Sequence, residues 1–371
     1  MTEKLALDQR GGHEVAGPVD AVRALSRRGL EILAYRRRIQ PWARAVLAAT
    51  GAIAELGLPL RVLGVVGATG AVGPVALALL AEHGFENVRA FASARSAGTR
   101  VPFGDRELEV EEATPEALSG DLDVCFFSVG TAASRELVPA AARGGAVCVD
   151  KSSAFRLTEE VPLVVPEVNG ERALEHEGIV ANPNCSTIQL VCLLKPLHDA
   201  AGLTRVRVST YQSASGAGRS SMDRLRALAP AEGNIVMDDW EFEGDESDEE
   251  LKLRAETRKI LELPDLPFSA TCARVPVLVG HSQAIWVETE EPLSPAQARE
   301  VLGRAPSVRV AERPTARDAA GGDEVLVGRI REDTAGGGVV LWGVCDNLRK
   351  GAALNAIQIA ELLLARQALA A

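Results

Sequence analysis

The sequence predicts an α/β protein in two parts, a doubly wound parallel sheet followed by an α+β domain, with a helical segment ahead of both. Three observations carry this. From Leu60 onward, short apolar runs of strand length alternate with helix-period segments, the pattern of a parallel sheet with crossovers. After Cys185 the alternation gives way to a succession of longer strands. Aromatic residues are scarce, at 4%, while Ala, Val, Leu and Gly abound, which suits α/β layers better than an aromatic-rich β-sandwich. With 371 residues, 47% of them hydrophobic, the chain can bury sizeable cores and suits two or three domains.

Taken in order, residues 1–59 read as a helical extension: Val19 to Leu56 is helical in pattern, and Pro41 splits it into two helices. Seven arginines against one glutamate in residues 21–50 fit a solvated helical hairpin better than a docking surface, because a basic run is weak evidence by itself. RVLGVVGA (61–68) is a buried strand. PVALALLAEHG (74–84) is a helix, with Pro74 at its first position and Gly84 just past its end. VRAFAS (88–93), LDVCFFSVG (122–130) and GAVCVDKSS (145–153) are further strands separated by helical segments. RVRVSTYQS (205–213) alternates like a half-buried strand. Residues 270–291 hold one or two more strands, VLVGRIRED and GGVVLWGVCDN two others, and residues 351–370 form a strong helix. Between Asp238 and Glu250 there are nine acids in thirteen residues, read mostly as an exposed acidic loop before a helix.

Composition narrows the function. A net charge of −11 argues against nucleic acid as a partner. Six irregularly spaced cysteines make no disulfide framework, and with no CxxC pair they suggest no metal. A reducing, cytoplasmic setting is expected. The first residues show no apolar signal region, and the longest apolar stretch near them falls short of the ~20 residues a membrane span needs, so no membrane association is expected.

GATGAVG places Gly67, Gly70 and Gly73 between a strand and a helix, a GxxGxxG variant of the dinucleotide fingerprint. Such a loop turns tightly, lets the backbone approach a pyrophosphate, and aims a helix N-terminus at it. An NAD site wants an acid about 20 residues beyond the glycines, on the ribose hydroxyls. FASARSAGTR offers none there, but it does offer Ser93, Arg95, Ser96 and Arg100, which suit a 2′-phosphate. The expected cofactor is NADP, in a Rossmann-type NADP-binding domain.

ANPNCSTIQL (181–190) sets a thiol at a polar corner. Asn182 and Asn184 are good capping types, and the helical pattern from Ser186 puts Cys185 at or beside the first helical position, where the helix dipole lowers a thiol pKa. Cys125, Cys148, Cys192, Cys272 and Cys345 all lie in apolar patterns and read as inert core residues. A thiolate near a dinucleotide suggests attack on an aldehyde, hydride loss to the nicotinamide, and a thioester that a second nucleophile resolves. Of the five histidines, His281 is the candidate base, because it follows Gly280 at a break in a strand-rich stretch.

Together VVGATGAVG, ASARSAG, ANPNCSTIQ, STYQSASGAG, RVPVLVGHS and DNLRKGAALNAIQIAE resemble the aspartate-β-semialdehyde dehydrogenase family, in order from about Leu60 to the C-terminus. The resemblance implies NADPH-dependent reduction of aspartyl phosphate to aspartate semialdehyde, with phosphate released, on the route to lysine, threonine and methionine. It also implies a homodimer or homotetramer. Carried over by motif, Cys185 is the acyl-thioester nucleophile, His281 the acid/base and Gln212 a substrate-orienting group. Arg274 takes the substrate carboxylate, Arg156 and Lys252 the phosphate, and Glu249 the amine. Thr69, Gly70, Ala71, Val72, Arg95, Ser96, Ser215, Gly216 and Asn347 join Gly67 at the cofactor. The implied domains are 60–184 with 346–371 for NADP, and 185–345 for catalysis and dimerisation. In a single continuous strand Arg274 and His281, seven apart, would point to opposite faces, but Pro276 and Gly280 can break it.

Three departures stand out: Lys151 where the family usually has asparagine, a short stretch between Gly218 and Glu249, and residues 1–59, which match nothing familiar. Two alternatives remain: a related acyl-phosphate reductase, such as an N-acetyl-γ-glutamyl-phosphate reductase, and a catalytically silent NADP-binding protein.

Overall fold

The computed structural model describes residues 62–227 and 240–370, so the helices expected between 19 and 56 and much of the short stretch before Glu249 lie outside the described residues. The first sheet is built by β1 (Leu63–Val66), β2 (Val88–Ala92), β3 (Arg100–Phe103), β4 (Arg106–Glu112), β5 (Val124–Phe127), β6 (Val147–Asp150) and β7 (Ile179–Ala181). Their spatial order is β3-β4-β2-β1-β5-β6-β7, and every neighbouring pair is parallel except β3 with β4. The strand order reverses at β1, which lies between β2 and β5, so the crevice beyond its carboxyl end is where such a sheet takes a ligand. β1, β5 and β6 are buried along their whole length, as strands covered on both faces must be.

The longer helices are α1 (Gly73–Glu82), α2 (Thr131–Arg143), α3 (Cys185–Ala201), α4 (Arg219–Ala227), α5 (Asp248–Leu261), α6 (Pro295–Arg304) and α7 (Leu354–Ala370). α1 starts one residue earlier than its sequence suggests, at Gly73, with Pro74 second; Gly84, at φ +80°, ends it. Residues of α1 and α7 share one core with β1, β2, β5 and β6, so the last helix returns to the first sheet.

The second sheet adds β8 (Leu203–Gln212), a small hairpin of β9 (Phe242–Glu243) and β10 (Glu246–Ser247), then β11 (Phe268–Arg274), β12 (His281–Thr289), β13 (Val308–Val310), β14 (Val325–Glu332) and β15 (Val339–Cys345). Apart from the hairpin, these form a mixed six-stranded sheet in the order β11-β8-β12-β15-β14-β13. Residues of α3, α5 and α6, among them Ile188, Leu193, Leu253, Ile260 and Leu302, pack in one core with inward residues of this sheet. Each such fully buried aliphatic side chain contributes about 1.5–3 kcal/mol.

The acidic run departs from the exposed loop that its composition suggests. Ser247 and Glu250 close a capping box that starts α5 at Asp248. The helix then turns Glu249 and Glu250 inward, both buried, and Glu250 accepts the backbone N–H of Cys272. The local pattern S-x-x-E carried this start; charge counting hid it.

Candidate active site

The corner 181–185 is held by hydrogen bonds from three directions. Asn184 caps α3, its Oδ1 accepting from the Ser186 N–H at 2.8 Å, and this makes Cys185 the first helical residue. The Asn184 side-chain amide donates to Glu249 at 2.9 Å, and its backbone N–H donates to Glu256 at 2.7 Å. Asn182 accepts at its Oδ1 from Asn355 of α7 at 2.8 Å and at its carbonyl from Arg156 at 3.1 Å. A π-helical turn, Arg349–Ala353, leads into α7, and a Cβ on its Gly351 would meet the Cβ of Cys185 at 3.2 Å. The thiol therefore sits where the helix starting the second core meets the helix closing the first.

Sheet order brings the other groups to the thiol. β11 runs parallel to β8 with Arg274 paired to Gln212, and β12 runs antiparallel to β8 with Ser282 paired to Tyr211. Arg274 at the end of one strand, Gln212 at the end of the next and His281 at the start of the third thus form a row. Residues 270–291 are two strands broken across 275–280, and this break lets Arg274 and His281 share a face. His281 Nε2 lies 3.2 Å from Cys185 Sγ. Gln212 donates to Glu249 at 2.9 Å, while Arg274 donates to the Ser213 carbonyl at 3.0 Å and its guanidinium stacks 4.8 Å from the Trp240 ring centroid. Gly216 lies against this row: a Cβ there would come within 2.9 Å of Arg274 Nη1 and 3.0 Å of the His281 ring.

The electrostatics differ from the expectation at the thiol. Its burial, and then the nearby Glu249 carboxylate, push the Cys185 thiol up; Lys151, Arg274 and Arg156 pull the other way without prevailing. One of the helix-start N–H groups counted on to stabilise a thiolate, that of Ser186, is already taken by Asn184. Burial, with Arg274 and Lys151 adding positive charge, holds His281 well below the ordinary imidazole range. The same burial lowers Lys151, whose ammonium lies among Cys185, Arg156, Asp150 and Glu249.

Not every expected residue reaches the row. Arg156 is buried, with three N–H groups committed to Glu256 at 2.8 Å, the Asn182 carbonyl and the Lys151 carbonyl. Lys252 follows Glu249 by three residues on α5, so the two share a helix face, but its ammonium pairs with Asp248. Ser213, Glu256 and Trp240, which sequence reasoning did not single out, carry site contacts; the pattern STYQSASGAG contained the first without marking it.

The cofactor side is built on backbone. Gly67 has φ +92°, and a Cβ there would lie 2.3 Å from the Ser128 carbonyl; a Cβ on Gly73 would lie 2.3 Å from the Gly67 carbonyl. Only glycine allows this close turn. No side chain caps α1, so its first N–H groups face the loop Thr69–Val72. Thr69 donates to Ser96 at 3.3 Å, which ties this loop to the segment after β2, where Ser93, Arg95 and Arg100 are exposed. A bare helix start, a cradle that a Cβ would fill and exposed arginines in place of an acid together fit NADP. Asn347 accepts from Ser213 at 3.0 Å, Ser215 at 3.1 Å and the Gly280 N–H at 2.9 Å, so it joins Ser215, expected on the cofactor side, to the residue before His281.

Comparison with known proteins agrees with this construction. Residues 62–176 match the semialdehyde dehydrogenase NAD binding domain, and residues 194–350 match the semialdehyde dehydrogenase dimerisation domain. The aspartate-semialdehyde dehydrogenase of Corynebacterium melassecola is 45% identical over 332 residues, which cover 78% of this chain and 95% of that one. Aspartate semialdehyde dehydrogenase II from Vibrio cholerae, solved in complex with ASA, has a TM-score of 0.78 and 38% identity, covering 82% of this chain and 98% of that one. The Candida albicans enzyme, solved with NADP, has a TM-score of 0.68 and 28% identity, covering 84% of this chain and 100% of that one. A thiol–imidazole pair beside a Rossmann-type cradle, on a chain this similar along nearly the full length of those proteins, makes this chain a member of the aspartate-semialdehyde dehydrogenase family.

Proposed function

We propose that the chain reduces L-aspartyl-4-phosphate to L-aspartate-4-semialdehyde and phosphate, reversibly and with NADPH, through a thioester on Cys185. The observation that carries the residue assignment is the 3.2 Å contact between Cys185 Sγ and His281 Nε2 at the end of the Arg274–Gln212–His281 row. Cys185 Sγ attacks the acyl carbon; the C–O bond to phosphate breaks, and phosphate leaves with the electron pair. When bound, NADPH supplies the hydride that reduces the thioester. His281 takes the thiol proton, gives a proton to the oxygen of the resulting thiohemiacetal and recovers it as the C–S bond breaks and the aldehyde leaves.

Arg274 offers a planar fork to the substrate α-carboxylate, with Trp240 stacked on its face. Glu249 presents a carboxylate to the substrate ammonium, and Gln212, bonded to it, orients the chain beside the thiol. An N-acetylated substrate has no ammonium to offer that buried carboxylate, which favours aspartyl phosphate over the acetylglutamyl analogue. Arg156 keeps two N–H groups beyond its three internal bonds and Lys151 adds charge beside it, so these two serve the phosphate, with Lys252 at the mouth. The domain division follows: 60–184 with 346–371 for the cofactor, 185–345 for catalysis and dimerisation, assembled as a homodimer and working in the cytoplasm.

The test is phosphate-dependent reduction of NADP with aspartate semialdehyde. Turnover is expected with the wild type and lost in Cys185→Ala. Robust turnover in that variant would reject Cys185 as nucleophile, and tight NADP binding without wild-type turnover would support a silent binder.

A further inference from the structure

The imidazole of His281 is positioned by a residue outside the expected set. Among the described residues its Nδ1 meets two groups, both of Ser213: the backbone N–H at 3.0 Å and the side-chain Oγ at 3.1 Å. A backbone N–H can only donate, so it favours a bare Nδ1 and places the single ring proton on Nε2, facing the sulfur. In that tautomer Nε2 has no lone pair for a thiol proton. For Nε2 to take up and release a proton, Nδ1 has to carry the other one, and an Nδ1–H directed at the backbone N–H is a donor facing a donor. Ser213 Oγ offers that Nδ1–H an acceptor beside the N–H. A hydroxyl donates one proton and accepts at two lone pairs, and Asn347 Oδ1 at 3.0 Å takes the hydroxyl proton, which leaves Oγ able to accept from Nδ1–H.

We propose that Ser213 is the positioning residue that selects the working tautomer of His281: its backbone N–H holds the resting Nε2–H form, and its hydroxyl, polarised by Asn347, accepts the Nδ1–H of the form that exchanges protons with Cys185 and substrate. Ser213 is fully buried, and its hydroxyl also contacts that of Ser215 at 3.0 Å. Ser215 and Asn347 are the positions expected on the cofactor side, so nicotinamide bound at either one would reorder the hydrogen bonds of the hydroxyl that selects the tautomer. The charged or titratable groups facing the ring are Cys185 from α3, Arg274 from β11, Lys151 after β6, and Cys345, paired with His281 on β15. None of these offers Nδ1 an acceptor among the hydrogen bonds of the described residues. Burial already disfavours the doubly protonated ring, so the choice between neutral tautomers matters more here than at an exposed histidine.

The inference rests on the roles given above to Cys185 and His281, and the experiment keeps the two apart. Wild-type phosphate-dependent turnover, abolished in Cys185→Ala, tests those roles. Ser213→Ala, which keeps the backbone N–H and removes Oγ, tests the inference. The expected result is a fall in kcat of about 10² or more, the scale of lost general acid–base catalysis, with KM and NADP affinity within threefold of wild type. The acid limb of the pH–rate profile should flatten, and Ser213→Thr, which restores a hydroxyl, should recover most of the rate. A Ser213→Ala enzyme with kcat within threefold and a superimposable pH profile overturns the proposal. Should that variant fail to fold, ¹⁵N spectra of the histidine-labelled wild type decide, with His281 assigned by its loss in His281→Asn. A protonated Nδ1 in the NADP-bound enzyme supports the proposal, and a bare Nδ1 with and without NADP overturns it.

Discussion

The two sheets make their halves of the site in opposite ways. The first presents a continuous peptide: Gly67 to Gly73 supply a turn, a cradle and the start of α1 within seven consecutive residues. The second presents side chains that meet only after strands have been ordered: Gln212 and Glu249 are 37 residues apart in sequence and Ser213 and His281 68, while Arg156, which follows β6 of the first sheet, reaches Glu256 across 100. A backbone cradle depends on conformation and tolerates neighbouring side-chain changes. A side-chain constellation depends on strand register and on every partner being present. The Cys185 corner belongs to both, since its cap is local while Glu249, Glu256 and Asn355 reach it from far along the chain.

That contrast can be broken first at the corner. Cys185→Ala should lower turnover by about 10⁴ or more while NADP still binds, because the proposed nucleophile contributes to the constellation and not to the cradle. Steady-state assay beside fluorescence titration of NADP checks this, and loss of both functions together would show that corner and cradle are one unit. Next, Arg274→Lys should raise KM for the semialdehyde and lower kcat/KM by about 10², since an ammonium cannot reproduce the planar fork or its stack on Trp240.

In the cradle, Gly67→Ala should weaken NADP binding about tenfold and cost about 1–3 kcal/mol of stability by thermal unfolding, because the new Cβ meets the Ser128 carbonyl at a positive φ. Its kcat at saturating NADP should stay near wild type if the two halves are separable. The smallest expected effect is Trp240→Leu, a several-fold rise in KM from loss of a cation–π contact of about 1 kcal/mol, with kcat unchanged. The thiol offers a pH test. Because burial raises Cys185, the free enzyme carries mostly thiol at pH 7, so alkylation by neutral iodoacetamide should accelerate with rising pH up to and beyond the ordinary thiol range. A rate already flat near neutrality would mean that the cations prevail.

Much of this was legible in the sequence where the physics is local. Alternating strand and helix periods gave the α/β class, and the glycine spacing together with the missing acid after β2 gave NADP. Asn184 before an apolar helical pattern marked the helix start at Cys185, since a cap and the N–H groups it serves lie within three residues. The acidic run misled because charge counting ignored the Ser247–Glu250 capping box, which turns two of its glutamates inward. The thiol misled for a different reason. A helix N-terminus is visible in sequence, whereas burial and a carboxylate from α5 are not, and these determine the direction of its shift.

By itself, then, the sequence determined most of the elements, their caps, the cradle and the family, all of which rest on contacts within a few residues or on a motif read in order, but it put a helical segment between β2 and β5 where β3 and β4 pair antiparallel and only one helical turn, Pro115–Leu118, follows. Tertiary structure alone decided that Arg274, Gln212 and His281 form one row, that Arg156 is held by Glu256, and that Ser213 faces both sides of the His281 proton question. Strand order and register are set by the collective burial of two cores, and no spacing along the chain encodes which distant side chains that burial brings into hydrogen-bond distance.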